Sequence, residues 1–283
     1  MALLGAPEEK DVRVVVGDTH GDHVGLLLAL RRVGAIDERN VRVPGYWLCH
    51  IGDVIHAGHG VQDDDVTCLK LALGLFDCLL YGNHETPFAV GLGSFVGQNP
   101  TLDCQPLLDA SVQAGRWQAA TAVDGYLLTH AGLHPRLLAG SQTFAPLRDV
   151  DRLHDPVAVA GAINTAFKQR IESGEPEPVF DWVGPVRSSR VREPCGGIFW
   201  CDWTELMAAE RKPRVRSQLK QIVGHTPRRN VQQAIDRKYW CVDVGAALSG
   251  YVGALVKGPA DQHWQPIRVG HSGRRDRREP ARL

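Results

Sequence analysis

Five short motifs stand at widely separated points of this chain, and each one cuts off an apolar run. They are Gly17-Asp18-Thr19-His20-Gly21, Gly52-Asp53, Gly82-Asn83-His84-Glu85, Thr129-His130-Ala131-Gly132 and Gly224-His225-Thr226. The runs before them are short and rich in β-branched or Leu residues, so they read as buried strands. Glycine lets the backbone turn sharply without a Cβ clash, so each motif puts a polar side chain on a tight strand-end turn. Carboxylate, amide and imidazole groups gathered at such ends suit hard-to-borderline metal ions held by oxygen and nitrogen.

The segments between the motifs fit a layered fold. Val12 to Val16 reads as a strand, His23 to Val33 as a helix stopped by Gly34, and Tyr46 to Ile51 as a second strand. Asp63 to Leu75 reads as a helix whose start carries Asp63, Asp64 and Asp65, where the positive end of the helix favours carboxylates. Asp77 to Tyr81 is a third strand, and the alternation indicates an α/β architecture. Farther on, Trp117 to Val123 and Tyr126 to Thr129 read as a hairpin across Asp124-Gly125. Pro156 to Glu172 reads as a helix. Ser173 to Gly197, rich in Pro, Gly and Arg, reads as a long surface loop or cap, a kind of segment that is often functional. Gln221 to Val223, Tyr239 to Val242, Tyr251 to Val256 and His263 to Val269 read as further strands. With no internal repeat or clear linker, residues 1–269 read as one domain, a central two-sheet core flanked by helices.

Composition narrows the function classes. A hydrophobic share of 43% and a charged share of 23% suit a globular protein with an ample core. Lys plus Arg (32) equals Asp plus Glu (32), so whole-chain charge points to no polyanionic partner. Without a basic face interleaved with aromatics, a nucleic-acid partner is not expected. The basic residues Arg274, Arg275, Arg277, Arg278 and Arg282 concentrate in the tail 270–283, which reads as solvated and disordered. Seven Cys without a Cys-x-x-Cys pair read as reduced, buried thiols of a cytoplasmic protein. No signal peptide is visible, and no apolar run approaches the ~18 residues a membrane span needs.

Taken as one site, the polar strand ends specify a chemistry. Asp18 and His20 lie one residue apart on a tight loop, so both can face one ion. The Asp53 carboxylate could bridge two ions, and Asn83, His130 and His225 supply an amide oxygen and two imidazoles for the second. Two ions ~3.5–4 Å apart can bind both a nucleophilic water and the substrate oxygens, so that the water attacks phosphorus in line. His84 points away from its neighbour Asn83 and is free to face the substrate, donating a proton to the leaving oxygen. Singly, each residue has an ordinary reading: an Asp before a helix caps it, and Gly-Asn-His-Glu makes a turn. Six ligand-competent residues, each at an apolar strand end beside Gly, outweigh those readings together.

These motifs resemble those of the calcineurin-like metallophosphoesterases, especially the branch of phosphoprotein Ser/Thr phosphatases and bacterial diadenosine tetraphosphate hydrolases. The resemblance runs from Asp11 to about Lys257. It implies a four-layer fold, a two-sheet β-sandwich flanked by α-helices with the site at the strand ends. It further implies Asp18, His20 and Asp53 on a first ion, Asp53, Asn83, His130 and His225 on a second, and His84 as proton donor. The ions would be manganese, iron, zinc or nickel. Asp243-Val-Gly-Ala resembles the segment after the last ligand, and Phe199-Trp-Cys-Asp-Trp203 the Trp-containing stretch before it.

One departure stands out. Such phosphatases read Gly-Asp-x-x-Asp-Arg-Gly at the second motif, where the second Asp orients the catalytic His and the Arg binds phosphate. This chain reads Gly52-Asp53-Val54-Ile55-His56-Ala57-Gly58. Arg187 and Arg190 are the candidates for the missing phosphate clamp, since an Arg fork binds two phosphate oxygens, and His56 is a candidate cleft residue. The leading expectation is a dinuclear metal-dependent phosphoesterase acting on phosphomonoesters, including those of phosphoproteins. The alternatives are a dinucleoside polyphosphate hydrolase, with Trp182, Trp200 or Trp203 stacking on bases, and a catalytically weak metal- and phosphate-binding regulatory module.

Overall fold

The structure is a computed structural model that describes residues 7–8, 11–55, 64–90, 102–138, 147, 153–187, 193–212 and 217–270. His56, Arg190 and the basic tail beyond Gly270 lie outside the described residues. The first half runs β1 (Val12–Val16), α1 (His23–Arg32), β2 (Tyr46–His50), α2 (Asp65–Leu75), β3 (Cys78–Leu80), α3 (Thr86–Ala89), α4 (Gln105–Gln113) and β4 (Trp117–Gln118). The second half runs β5 (Thr121–Val123), β6 (Tyr126–Leu128), α5 (Pro156–Ser173), α6 (Pro178–Asp181), α7 (Trp203–Glu210), β7 (Lys220–Val223), β8 (Gln232–Ala234), β9 (Tyr239–Cys241), α8 (Ala246–Ser249), β10 (Tyr251–Lys257) and β11 (Gln265–Gly270).

The strands form two sheets, one of order β11-β10-β1-β2-β3-β4 and one of order β5-β6-β7-β9-β8. Side chains alternate across each strand, and the alternation sorts the apolar residues into layers. Val15, Cys49, Leu80, Leu128, Ile222 and Trp240 pack together between the sheets. Val14, Val16, Leu48 and Leu79 face the other way and join the core around Leu26 and Leu30 of α1 and Leu69 of α2. On the far sheet, Val223, Tyr239 and Cys241 pack against Trp203, Leu206 and Met207 of α7. Both faces of most strands are thus covered, which is why they read as unbroken apolar runs rather than alternating ones. The layers are those expected, a two-sheet sandwich flanked by helices.

Local chemistry sets the element ends. Asp22 caps α1 by accepting from Gly25 N, and Asp64 caps α2 by accepting from Thr67 N at 2.9 Å. Helix α5 starts with Asp155 as cap and Pro156 in the first turn, and stops at Gly174 in the left-handed region (φ 73). The Asp124-Gly125 turn has φ 49 and 78, the two positive values that a tight hairpin turn requires.

The hairpin needs one correction. Trp117 to Val123 is not a single strand: β4 pairs with β3 in the first sheet, whereas β5 pairs with β6 in the second. The chain changes sheets at Ala119-Ala120. Asn164 of α5 holds the crossing, its Oδ1 accepting from Ala119 N (2.9 Å) and Ala120 N (3.0 Å) while its Nδ2 donates to Ala120 O (2.8 Å). A second correction concerns residues 173–197. This segment is not wholly a surface loop: it contains α6, and Val179, Phe180, Cys195 and Gly197 are buried. Phe180 joins Phe167 and Phe199 in an aromatic cluster with ring centroids 4.9–6.0 Å apart.

Asn164→Ala leaves two main-chain N–H groups at the crossing without acceptors. Urea unfolding should show a loss of about 2–3 kcal/mol at unchanged denaturant slope. A loss under about 0.5 kcal/mol would show that the crossing does not depend on Asn164.

A candidate metal centre at the strand ends

Strands β1, β2 and β3 run parallel in one sheet, and β6 and β7 run parallel in the other. Their C-terminal ends therefore deliver Asp18 and His20, Asp53, Asn83 and His84, His130, and His225 to one pole. Main-chain bonds fasten the loops together. Thr19 N and His20 N donate to Asp53 O at 3.0 and 2.9 Å, and Gly224 N donates to His130 O at 2.6 Å. The approach is so close that a Cβ on Gly82 would lie 2.1 Å from Asp53 Oδ1, and one on Gly224 would lie 2.2 Å from Asp18 Oδ1. His20, Asp53 and His225 take φ of 46, 52 and 66. Side-chain-bearing residues rarely adopt such values, and they cluster where a site demands them.

Asp53 is the common centre. Its Oδ2 lies 3.4 Å from His130 Nε2, 3.7 Å from His20 Nε2 and 3.8 Å from His84 Nε2. Burial alone would raise its pKa, but the fields of His130, His84 and His20 outweigh burial and hold the carboxyl well below its usual range. Two clusters share it. The ligand atoms of His20, Asp53 and His84 lie within 4.8 Å of one another, and so do those of Asp53, His130 and His225. Asn83 belongs with the second, its Oδ1 lying 3.0 Å from His130 Nε2 and 2.8 Å from His225 Nδ1. Asp18 stands beside the clusters, both its oxygens accepting from His225 N at 3.2 and 3.0 Å. Burial, and then the negative charges of Asp243 and Asp53, push its carboxyl up.

The donor set fits a cation. His130 Nδ1 faces Ile51 O at 3.1 Å, an acceptor, so Nδ1 carries the ring proton and Nε2 of the neutral ring is a lone pair. That lone pair meets Asn83 Oδ1 at 3.0 Å and Asp53 Oδ2 at 3.4 Å. Three acceptors converging in a buried spot repel unless something positive sits among them. A proton can do so: burial lowers the His130 pKa, but the Asp53 carboxylate overcomes it and the net direction is up. A metal ion held by carboxylate, amide oxygen and imidazole does so with every lone pair used. His225 Nε2 is buried without a hydrogen-bond partner among the described residues. Burial, and then Arg187 and His130, drive the His225 pKa well down, which keeps that ring neutral and able to ligate.

Sequence reasoning missed the group that holds Asp53 in place. Glu85, 1% exposed, accepts from Asp53 N and Gly82 N at 2.9 Å each, from Val54 N at 2.8 Å and from Ile55 N at 3.2 Å. One carboxylate thus ties the β2 and β3 loops together. Its position directly after Asn83-His84 was the available signal. His50 was missed as well. Its Nδ1 accepts from Gly52 N at 3.3 Å and its Nε2 lies 3.1 Å from Thr19 Oγ1, so it bridges the first two loops; burial pushes its pKa down to about 3. Asp243 is buried nearby, one oxygen accepting from Gly245 N at 2.7 Å.

Arg187 does reach this pole. Its Nη2 donates to His225 O at 3.0 Å and to Thr226 Oγ1 at 3.2 Å, and lies 3.3 Å from Asp202 Oδ2. Of the three tryptophans, Trp203 is buried in the α7 core, Trp182 packs against the main core, and Trp200 meets the His225 ring edge-on at 5.9 Å.

Solved structures share this architecture. The chain is similar to a presumed diadenosine tetraphosphatase at 16% identity and TM-score 0.52, covering 96% of this chain and 100% of that one. It is similar to the cold-active protein-tyrosine phosphatase of a psychrophilic Shewanella species at 15% identity and TM-score 0.51, covering 94% and 83%. It is also similar to a protein serine/threonine phosphatase from Saccharomyces cerevisiae with similarity to human phosphatase PP5, at 18% identity and TM-score 0.53, covering 96% and 86%. No family model and no curated protein matches the chain. At these identities the likeness establishes the fold, and that fold is the one the motifs implied.

Glu85→Gln tests the clamp. The amide keeps the shape but turns an NH2 toward main-chain N–H groups. Urea unfolding should show a loss of about 3 kcal/mol. Unchanged stability would mean that the loops hold Asp53 without Glu85.

Proposed function

We propose that this chain is a dinuclear metal-dependent phosphoesterase acting on phosphomonoesters, phosphoproteins among them. The observation that carries the reading is Asp53 Oδ2, which lies within 3.8 Å of three imidazoles from three loops. Asp18, His20 and Asp53 would hold one ion, and Asp53, Asn83, His130 and His225 the other, with manganese, iron, zinc and nickel all suited to these donors. Bound there, such ions lower the pKa of a water and polarise phosphoryl oxygens.

The chain's own residues supply the rest. His84 N donates to Asp53 Oδ1 at 3.1 Å, and the ring stacks edge-on with His20 at 4.8 Å. So held at the edge of the cluster, His84 can give a proton to the leaving oxygen. Arg187 is the phosphate clamp: among the described residues only its Nη2 is engaged, which leaves the other side of the fork for phosphate oxygens. Asp202 pulls the other way, since its ion pair makes Arg187 a staple for the His225 loop as well. No described helix is long and apolar enough to cross a membrane. All seven cysteines are buried and unpaired, which supports a reducing, cytoplasmic setting.

A second reading rests on Trp200. An indole beside His225 could stack on a base, which favours a dinucleoside polyphosphate as substrate, and one similar structure is the presumed diadenosine tetraphosphatase. The products formed from diadenosine tetraphosphate and from p-nitrophenyl phosphate separate the two readings.

Protein stripped with a chelator and reloaded with manganese, nickel, cobalt or zinc should release phosphate from p-nitrophenyl phosphate, and the stripped protein should not. Asp53→Asn should lower turnover at least ~100-fold, and His84→Gln should lower kcat ~100-fold or more while metal content stays the same. Inactivity with every metal, on both substrates, would leave only a metal- and phosphate-binding module.

A further inference from the structure

His50 interrupts the apolar run of β2 and is fully buried. Its ring meets Phe76 edge-on at 5.4 Å. A phenyl ring would fill that space at no polar cost, whereas a buried imidazole must find partners for its nitrogens.

The partners lie in the two loops that carry Asp18, His20 and Asp53. Gly52 N can only donate, and it reaches His50 Nδ1 at 3.3 Å, so the ring proton sits on Nε2. Nε2–H then donates to Thr19 Oγ1 at 3.1 Å, and the Thr19 hydroxyl donates in turn to Val54 O at 3.3 Å. Cys68 Sγ of α2 adds a second donor to Thr19 Oγ1 at 3.5 Å, which fills the capacity of that hydroxyl. Thr19 and Cys68 are as fully buried as His50.

These bonds bracket the ligands. They run from Gly52 through His50 and Thr19 to Val54, so they begin one residue before Asp53 and end one residue after it. Their middle link, Thr19, stands between Asp18 and His20. The three residues assigned to the first ion are thus all flanked by one buried clasp to which they contribute no side chain. Glu85 is a separate fastening: it takes the N–H groups of Asp53 and Val54, whereas the clasp takes Gly52 N and Val54 O. Asn83, His130 and His225, the unshared residues of the second ion, follow β3, β6 and β7 instead.

We propose that the His50–Thr19 hydrogen bond is a positioning device for the first ion, fixing Asp18, His20 and Asp53 at the separation that ion requires. The proposal rests on the dinuclear reading above and adds two residues that supply no ligand atom. Groups behind the ligands of a metal change its affinity ~10–100-fold.

The test counts manganese bound to the chelator-stripped full chain, by elemental analysis after dialysis across a series of free manganese concentrations. The native chain should take up two ions. Thr19→Val, which replaces the hydroxyl with a methyl of nearly the same shape, and His50→Phe should each weaken one ion at least ~10-fold and leave the other within ~3-fold. Thr19→Ser keeps the hydroxyl and should bind both ions as the native chain does. Asn83→Ala identifies the ion: at a manganese concentration where it and Thr19→Val each hold one, the two substitutions together should hold none. Asn164→Ala loosens the crossing between the sheets but bonds to no ligand loop, and should hold both ions, which separates positioning from general loss of stability. The proposal is overturned if Thr19→Val binds both ions as the native chain does, if Thr19→Ser loses as much as Thr19→Val, if both ions weaken together, if the Thr19→Val, Asn83→Ala chain still holds one, or if Asn164→Ala gives the same loss. A native chain that takes up no manganese overturns the dinuclear reading itself, and the clasp with it.

Discussion

Glu85 accepts four main-chain N–H groups, from Gly82, Asp53, Val54 and Ile55, and that buried carboxylate decides where Asp53 points. Without it, two neighbouring loops would expose unpaired N–H groups in a region with almost no access to water, at a cost of about 1–3 kcal/mol each. With it, Asp53 is pinned between His20, His84 and His130, and its carboxyl is driven low by their fields. The clamp is electrostatically awkward. Burial and the charge of Asp53 push the Glu85 pKa up to about 7 against those N–H bonds. A cation among the neighbouring donors would relieve that repulsion, so the clamp and the ion-binding site support one another.

The backbone shows the same cooperation. His20, Asp53 and His225 occupy left-handed conformations that cost free energy in isolation. They persist because their loops are bonded to each other and because Gly82 and Gly224 let carboxylates approach main chain with no Cβ between them. Residues from both sheets contribute, so the site exists only once the sandwich has closed. The poles of the sandwich then differ. The end where β6 and β7 finish gathers acceptors for cations, and the end where they start mixes Lys220, Arg237 and Lys257 with Asp124 and Asp236, as parallel strands allow when the loops at their two ends are built from different residues.

The motifs were legible because strands covered on both faces read as apolar runs, and a polar residue beside Gly at the end of such a run is conspicuous. Asp18, His20, Asp53, Asn83, His84, His130 and His225 all reached one pole, where Asp18 stands beside the two tight clusters that the other six form. The sheet change at Ala119-Ala120 was hidden, since both residues are apolar and the residue that enforces the crossing, Asn164, lies more than forty positions away. Strand β8 (Gln232–Ala234) was invisible for another reason: it is an edge strand, half exposed, with no apolar pattern to betray it. Glu85 looked like one more polar turn residue because burial is a property of the closed fold. Arg187 could be nominated from its type, but its partners His225, Thr226 and Asp202 come from distant segments.

The function of this pole depends on the converging acceptors binding cations through Asp53. Elemental analysis of chelator-stripped protein, dialysed against manganese and then against metal-free buffer, measures this directly and needs no substrate. Two ions per chain are expected, falling below one in Asp53→Asn with the fold preserved by circular dichroism. A chain that retains no metal, or an Asp53→Asn variant that retains both ions, would contradict it.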